Sequence, residues 1–228
     1  MLGQIRGCFT AIKKCLFNKR SKETSIEQKI FKEIKIFLPK YLSEERQTQL
    51  FKDLSSFPEN INKRFYTETL KREKNLFQGD GFHSLTMPDN EKKEFKEVKG
   101  LLISNSCDVD LENPRKYFIP YFLFSPIFSL DKYKSALLSN NKPQEKVDEF
   151  IEKIRSQEIS NFFYLPQFGD KSEECFVRFD QIFNGSTEIN LSELLIKRIF
   201  SLSNYGFYLF LFKLSIHFTR IRESIDRD

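Results

Sequence analysis

The spacing of apolar residues changes near residue 76, and this change limits the fold more than any other feature of the sequence. Upstream, apolar side chains recur about every 3.6 positions over residues 26–38, as on one face of a helix. Ser43 is a typical N-cap for a second helix, and Pro58 opens a third that ends near residue 74. Downstream, short apolar runs alternate with turn residues, as strands do. We therefore expect an α+β fold.

The downstream part of the chain is β-rich, with one helix inserted and one appended. The predicted strands lie within residues 76–85, 98–104, 117–130, 162–165 and 175–179, and residues 87–93 are predicted to be a loop. A helix over residues 142–160 interrupts the strands, and an apolar helix from Asn204 to Glu223 closes the chain. This pattern predicts two regions: residues 1–75, a basic tail followed by a helical layer, and residues 76–228.

Positive charge is concentrated at the N-terminus. The whole chain carries a net charge of +5, and residues 1–22 contain six Lys or Arg and no Asp or Glu. The remaining residues are therefore close to neutral, with a net charge of about −1. Any attraction to phosphate or to an anionic surface is expected mainly in this basic tail.

The cysteines and the longest apolar run indicate in which cellular compartment the protein is expected. Cys8, Cys15, Cys107 and Cys175 show no CxxC pair and no zinc-ribbon spacing, so we expect reduced thiols in a cytoplasmic protein. No segment has the features of a signal peptide. The most apolar run, Tyr205–Phe212, is much shorter than the roughly 20 residues that span a bilayer. The sequence predicts no transmembrane segment.

The most distinctive local sequence is an apolar strand that ends in the polar cluster Ser104–Asp108. Cysteine becomes a good nucleophile when a neighbouring imidazolium or helix N-terminus lowers the pKa of its thiol. Cys107 and Asp108, together with His83, are therefore candidate catalytic residues. The alternative is structural: Cys107 is a small residue in a tight turn, and Asp108 caps backbone amides there.

Two other kinds of site can be considered. Metal-free RNA cleavage needs cations that stabilise the developing negative charge, and Arg115, Lys116 and Arg178 are candidates for nucleic-acid contacts. The alternative for each of the three is a solvated surface charge. A metal site is chemically conceivable from the ligand types in His83, Cys107, Asp108 and Asp110, but their spacing is not diagnostic. We predict no cofactor and no metal.

Four short motifs occur in order within residues 77–183, namely Gly79-Asp80, Ile103-Ser104-Asn105, Pro126-Ile127 and Asp180-Gln181-Ile182. Together they resemble the SH3-like barrel of the MazF/PemK-type toxins, over a little under half of the chain. The segment Ser104–Asp108 is also similar to segments of bacterial proteins linked to prophages or phage defence. The resemblance implies a small SH3-like β-barrel at about residues 76–183, with the helical layer before it and the long C-terminal helix after it.

The catalytic elements of that family are not reproduced. Val98-Lys99-Gly100 stands where the family carries its Arg-Pro element, and Phe128 replaces the threonine that follows Pro-Ile. The resemblance therefore implies the barrel without the ribonuclease chemistry.

These observations favour a binding module. We expect an interaction module of a bacterial mobile-element or phage-defence locus that contacts RNA or a protein partner, without assignable catalysis. The alternative is a MazF-like, toxin–antitoxin-like endoribonuclease with a diverged active site that uses Arg115, Arg178 or His83. A third hypothesis is a peripheral protein attached to anionic membranes by residues 1–22.

Overall fold

The computed structural model describes residues 43–55, 64–89, 92–110, 112–113, 121–169, 172–186 and 191–219. The chain divides into two compact units, Met1–Ile61 and Asn62–Asp228. In the first unit, helix α1 (Glu44–Ser55) begins after the predicted N-cap, where Ser43 Oγ accepts a hydrogen bond from Arg46 N at 3.3 Å. This helix prediction is confirmed. The helix predicted over residues 26–38 and the basic tail lie outside the described residues.

The second unit is built on an antiparallel sheet accompanied by helices, which confirms the predicted α+β class. Its strands are β1 (Tyr66–Thr67), β2 (Gly81–Asp89), β3 (Glu94–Leu102), β4 (Tyr121–Ser129), β5 (Phe162–Leu165), β6 (Cys175–Arg178), β7 (Phe183–Ser186) and β8 (Arg198–Leu202). Its helices are α2 (Leu130–Ser139), α3 (Gln144–Arg155), α4 (Leu191–Ile196) and α5 (Asn204–Thr219). The strands are ordered β1-β8-β2-β3-β4-β6-β5, and β7 also pairs with β4.

Strand β4 is central, although its proline predicts an edge or a strand end. One side of β4 pairs with β3, and Pro126 lies opposite Gly100. The β4–β7 pairing ends at Phe124, and the β4–β6 pairing begins at Ile127. Pro126 therefore falls where β4 changes partners and the ladder is interrupted, and a residue without an N–H is tolerated there.

Two local predictions are wrong over part of their length. From residue 66 to residue 74, the predicted helix is replaced by β1 and turns, because Tyr66 and Thr67 pair with β8 and strand pairing overrides a weak helical pattern. Residues 58–63 of that prediction lie outside the described part of the chain. The loop predicted over residues 87–93 is strand as far as Asp89. Pro88 is compatible with that strand because β8 pairs with β2 only near Gly81, so this part of β2 lies at an edge.

The inserted helix, the strands that follow it and the C-terminal helix agree more closely with the predictions. Strands β5 and β6 occupy the predicted positions, and α3 lies within the predicted inserted helix. Helix α2, which was not predicted, is capped by Ser129 Oγ, which accepts a hydrogen bond from Lys132 N at 3.3 Å. Helix α5 occupies most of the predicted C-terminal helix, and residues 220–223 lie outside the described part.

Aromatic rings cover both faces of the β5–β6 pair. On one face, Phe162 contacts Phe150 of α3 with ring centroids 5.8 Å apart. On the other face, Phe163 contacts Phe210 of α5 at 5.4 Å. Phe162, Phe163 and Phe210 are all buried. The abundance of phenylalanine in the sequence thus serves mainly to fill the layers between sheet and helices.

The two end strands of the sheet approach each other through side chains. Tyr66 Oη donates a hydrogen bond to Pro166 O, just after β5, at 2.7 Å. Phe65 and Phe163 lie with ring centroids 5.7 Å apart. No backbone pairing joins β1 to β5 in the described strands, so the sheet is open at this seam.

The outer edge of β5 is closed by one side chain. Gln157 Nε2 donates to Tyr164 O at 2.9 Å, and Tyr164 N donates to Gln157 Oε1 at 3.1 Å. The amide thus occupies the positions that a neighbouring strand would use and satisfies the backbone groups at this edge of the sheet. Gln157 reaches this place from a left-handed backbone conformation, with φ of +58°.

Helix α5 packs against the end of the chain segment that precedes β1. A Cβ on Gly206 would lie 2.3 Å from Phe65 O, so only glycine permits this approach. Farther along the helix, the buried Lys213 Nζ donates to Gln157 O at 2.7 Å and to Ile159 O at 2.6 Å. Among the helices in the described ranges, none is both long enough and apolar enough to cross a membrane.

Candidate functional site: an aromatic cavity at the seam of the sheet

The polar cluster Ser104–Asp108 is a turn that follows β3, and its polar groups hold backbone. Ser104 Oγ accepts a hydrogen bond from Leu123 N at 2.7 Å. Asn105 Oδ1 accepts one from Cys107 N at 2.9 Å, and Asn105 O accepts one from Asp108 N at 2.9 Å. These bonds fit the structural alternative for the cluster, in which polar residues fix a tight turn.

The same turn is tied to the segment before β2. Ser106 Oγ accepts a hydrogen bond from Gln78 N at 3.0 Å, and Gln78 Nε2 donates to Ile103 O at 2.7 Å. The side chains of Cys107 and Asp108 are exposed. The catalytic roles proposed for these two residues stay predictions.

The third candidate catalytic residue lies on a different element. His83 belongs to β2, where its backbone N donates to Lys197 O at 2.9 Å and its side chain is exposed. Within the described residues, no group of three or more His, Cys, Asp or Glu side chains could hold a metal ion. The geometry therefore does not support the alternative of a metal site built from His83, Cys107, Asp108 and Asp110.

Of the three candidate nucleic-acid contacts, only Arg178 lies in the described part of the chain. Its Nη2 lies 2.6 Å from Asp180 Oδ2, and its Nε donates to Asp180 Oδ1 at 3.0 Å. This paired carboxylate raises the pKa of Arg178 and lowers that of Asp180. The guanidinium also lies 5.7 Å from the centroid of the Phe162 ring. Its charge is thus already balanced, and Arg115 and Lys116 lie outside the described residues.

The Gly79-Asp80 motif contributes a buried ion pair. Asp80 Oδ2 lies 3.1 Å from Arg198 Nε and accepts a hydrogen bond from Phe77 N at 3.0 Å. Burial raises the pKa of Asp80, while the Ser201 hydroxyl and the Arg198 charge oppose that rise. These contacts fasten the segment before β2 to β8, which is a structural role.

The structure reveals a site that sequence analysis did not identify. A cavity of about 220 Å³ lies beside the seam between the ends of the sheet. Six of the eight strands contribute to its walls, so the sheet must curl around it. The lining residues are Tyr66, Lys99, Ile127, Leu165, Pro166, Phe168, Ser172, Glu173, Cys175, Ile199 and Phe200.

Three aromatic rings meet at this cavity. The centroids of Tyr66 and Phe200 are 4.8 Å apart, those of Tyr66 and Phe168 are 5.0 Å apart, and those of Phe168 and Phe200 are 6.3 Å apart. Each pair of rings is inclined by 54–71°, so the rings form differently oriented walls instead of one stack. Gly81 makes room for this group, because a Cβ there would lie 2.5 Å from the Phe200 ring.

Two charged residues are among those that line the cavity. Glu173 and Lys99 line it, and Glu173 Oε2 accepts a hydrogen bond from Ser129 Oγ at 2.5 Å. Burial and the carboxylates of Glu173, Asp131 and Glu174 raise the pKa of the Cys175 thiol to about 11, against the opposing charge of Lys99. At neutral pH this thiol is protonated, and a protonated thiol is a poor nucleophile.

A hydrogen-bond network supports the strand that carries Cys175. Arg155 binds Glu174 through two contacts, from Nε at 3.1 Å and from Nη2 at 2.5 Å. The hydroxyl of Tyr164 also donates to Glu174. Burial acts to raise the pKa of Glu174, but the hydrogen bonds from Arg155 and Tyr164 outweigh it, so the pKa is lowered. Because α3, β5 and the residue preceding β6 meet here, this part of the cavity wall is held by three elements.

The cavity escaped sequence analysis because its walls come from residues 66 to 200, and no local spacing connects them. Phe168 and Phe200 belong to no predicted strand or helix, and Tyr66 fell in a segment predicted to be helical. A comparison of the chain with models of protein families finds no match. A search among curated proteins finds no match either.

Proposed function

We propose that this protein is a binding module that holds a partner protein through the cavity at the seam of its sheet. The observation that supports this proposal is the convergence of Tyr66, Phe168 and Phe200 on one cavity. Apolar and aromatic walls with a few polar groups are typical of ligand-binding sites. Aromatic residues are also enriched where proteins bind other proteins.

The chemistry of the cavity thiol, of Arg178 and of the Ser104–Ser106 turn favours binding over catalysis. The Cys175 thiol at the cavity is protonated at neutral pH, and the positive charge of Arg178 is paired with the carboxylate of Asp180. Ser104, Asn105 and Ser106 accept hydrogen bonds from the backbone, which is what a structural turn requires. None of these groups is arranged as an activated nucleophile with its base.

The wider biological setting rests on sequence resemblance alone. We keep as proposals the bacterial mobile-element or phage-defence locus and the SH3-like barrel of the MazF/PemK type. The near approach of Tyr66 to Pro166 is compatible with a barrel whose seam is open. A diverged MazF-like endoribonuclease is the alternative function, and it is tested in parallel.

A peptide-array experiment tests the binding proposal. Purified wild-type protein, a Phe168→Ala variant and a Phe95→Ala control are applied to an array of random short peptides. Phe95 is a suitable control because it is 78% exposed on β3 and does not line the cavity. We expect a set of peptides whose binding is lost in Phe168→Ala and kept in Phe95→Ala. If no peptide shows this dependence in folded proteins, the proposal is wrong.

A cleavage assay tests the alternative. Wild-type protein is incubated with a mixed RNA pool beside Cys107→Ala and Asp108→Asn, each checked for folding by circular dichroism. We expect no cleavage by any of them. Cleavage by the wild type that disappears in either folded variant would place the active site at the Ser104–Asp108 turn and contradict the binding proposal.

A further inference from the structure

We infer that the seam cavity takes a cation, namely the ammonium or guanidinium group of a Lys or Arg side chain on the partner protein. This inference rests on the proposed function and adds the chemical class of the bound group. It follows from the kinds of side chain that surround the cavity, from their charges and from the size of the space.

The aromatic walls are the first argument. A cation is attracted to the face of an aromatic ring when it lies within about 6 Å of the ring centroid. Tyr66, Phe168 and Phe200 line one cavity, their neighbouring centroids lie 4.8–6.3 Å apart, and their planes are inclined to one another. All three rings line a space of only about 220 Å³, so a cation held there can lie within this distance of more than one ring centroid.

The charges near the cavity are the second argument. Glu173 lines the cavity, and Asp131 is close enough to act electrostatically on the Cys175 thiol in the cavity wall. Opposing them is Lys99, which also lines the cavity, and all three side chains are exposed. Two carboxylates therefore stand against one ammonium group. These carboxylates would repel a phosphate group, so the local electrostatic field favours a cation over a nucleic-acid backbone.

The size of the cavity is the third argument. Its volume of about 220 Å³ is below the roughly 300–1,000 Å³ typical of pockets for whole small molecules. The space suits the end of one side chain, with the rest of the ligand lying outside on the protein surface. Arginine is among the residues that most often anchor protein interfaces in such pockets.

A pair of small probes tests the charge requirement directly. n-Butylguanidinium and n-butylurea have nearly the same shape, but only the first is charged. Each is titrated into the full-length protein at constant ionic strength while aromatic NMR signals of the cavity are followed. We expect n-butylguanidinium to bind roughly two- to thirty-fold more tightly than n-butylurea, the range of a cation–π contribution. Equal or tighter binding of the urea overturns the inference.

Substitutions at the cavity give effects of opposite sign. We expect Phe168→Leu and Glu173→Gln to weaken n-butylguanidinium binding, because they remove a ring face and a carboxylate. Lys99→Gln is expected to strengthen it, because a like charge is removed. Phe95→Leu should have no effect. If Glu173→Gln strengthens binding, or if Lys99→Gln weakens it, a cation is not the bound group. Glu173→Gln and Lys99→Gln change no core residue, so they remain informative should Phe168→Leu fail to fold.

The two proposals can fail separately. If array peptides bind through the cavity but those without Lys or Arg bind best, the cation inference is wrong and the binding module stands. If no peptide depends on Phe168, the binding module is wrong. Replacing the arginine of a bound peptide by citrulline, its neutral isostere, should weaken binding by the same factor that separates the two small probes.

Discussion

Arg198 and Asp80 form an ion pair with side chains only 7% and 1% exposed, and their Nε and Oδ2 atoms lie 3.1 Å apart. The same guanidinium donates through Nη1 to Leu70 O at 2.7 Å and through Nη2 to Asn75 O. One side chain of β8 therefore holds the segment before β2 at several points. This segment includes the Gly79-Asp80 motif that sequence analysis singled out.

Removing this cation should strongly destabilise the fold. Arg198→Met leaves the Asp80 carboxylate buried without its counter-charge, and breaking a buried pair in this way costs about 3–5 kcal/mol. The matched control is Arg178→Gln, which breaks a pair whose side chains are 31% and 39% exposed and should cost no more than about 1 kcal/mol. Urea unfolding followed by circular dichroism measures both. Similar losses for the two variants would show that Arg198 has no special structural role.

Lys213 makes the stability of the fold depend on pH. Burial lowers the pKa of Lys213 to about 7, whereas a lysine in the unfolded chain titrates near 10.4. Between these values the unfolded chain binds more protons, so the free energy of unfolding should rise with pH by up to about 1.4 kcal/mol per unit. This contribution is complete above the unfolded pKa and is lost as pH falls through about 7.

Lys213→Met isolates this effect. Compared with the wild type, the variant should gain less stability between pH 7 and pH 10, and it should be less stable at pH 10 because Gln157 O and Ile159 O lose their donor. The exposed Lys146 provides the control, since Lys146→Met should keep the pH dependence of the wild type. Parallel pH profiles for wild type and Lys213→Met would contradict the prediction.

Gln157 should be essential to the edge of β5. Gln157→Leu leaves the N–H and C=O groups of Tyr164 without their partner, at a cost of about 1–3 kcal/mol for each buried group. The freed edge should also favour concentration-dependent association of the protein. Gln144→Leu removes only an exposed contact with Asp148 and should cost a few tenths of a kcal/mol. Urea unfolding and analytical ultracentrifugation separate the two effects, and a neutral Gln157→Leu would refute this role.

Cys175 should react slowly with thiol reagents in the folded protein. With a pKa of about 11, only about one thiol in a thousand is ionised at pH 8, and the rate should rise nearly tenfold per pH unit below the pKa. Iodoacetamide labelling followed by peptide mass spectrometry measures the rate, and the urea-unfolded protein is the control. Labelling of Cys175 as fast in the folded as in the unfolded state would contradict a protonated, half-buried thiol.

Local sequence patterns were enough to predict the elements that carry a strong local signal. Ser43 marked the start of α1, and the strands at Phe162–Leu165 and Cys175–Arg178 were recognisable from short apolar runs. The pattern at Asn204 likewise identified the C-terminal helix. Caps and periodic apolar faces act over a few residues, so they can be read directly from the order of amino acids.

Elements that depend on a distant partner could not be predicted in the same way. Strand β1 exists because Tyr66 pairs with Leu202, and β4 tolerates Pro126 because its neighbouring strands change there. Strand pairing is a tertiary interaction, and it overrides local preference when the competing helical pattern is weak.

The sequence by itself determined the α+β class, the position of several helices and strands, and the supply of aromatic side chains for the core. Tertiary structure alone decided that Tyr66, Phe168 and Phe200 would meet beside Glu173 and form a cavity. The reason is geometric: a cavity wall is assembled from strands far apart in the chain, and the curl of the sheet that brings them together depends on every pairing in it at once.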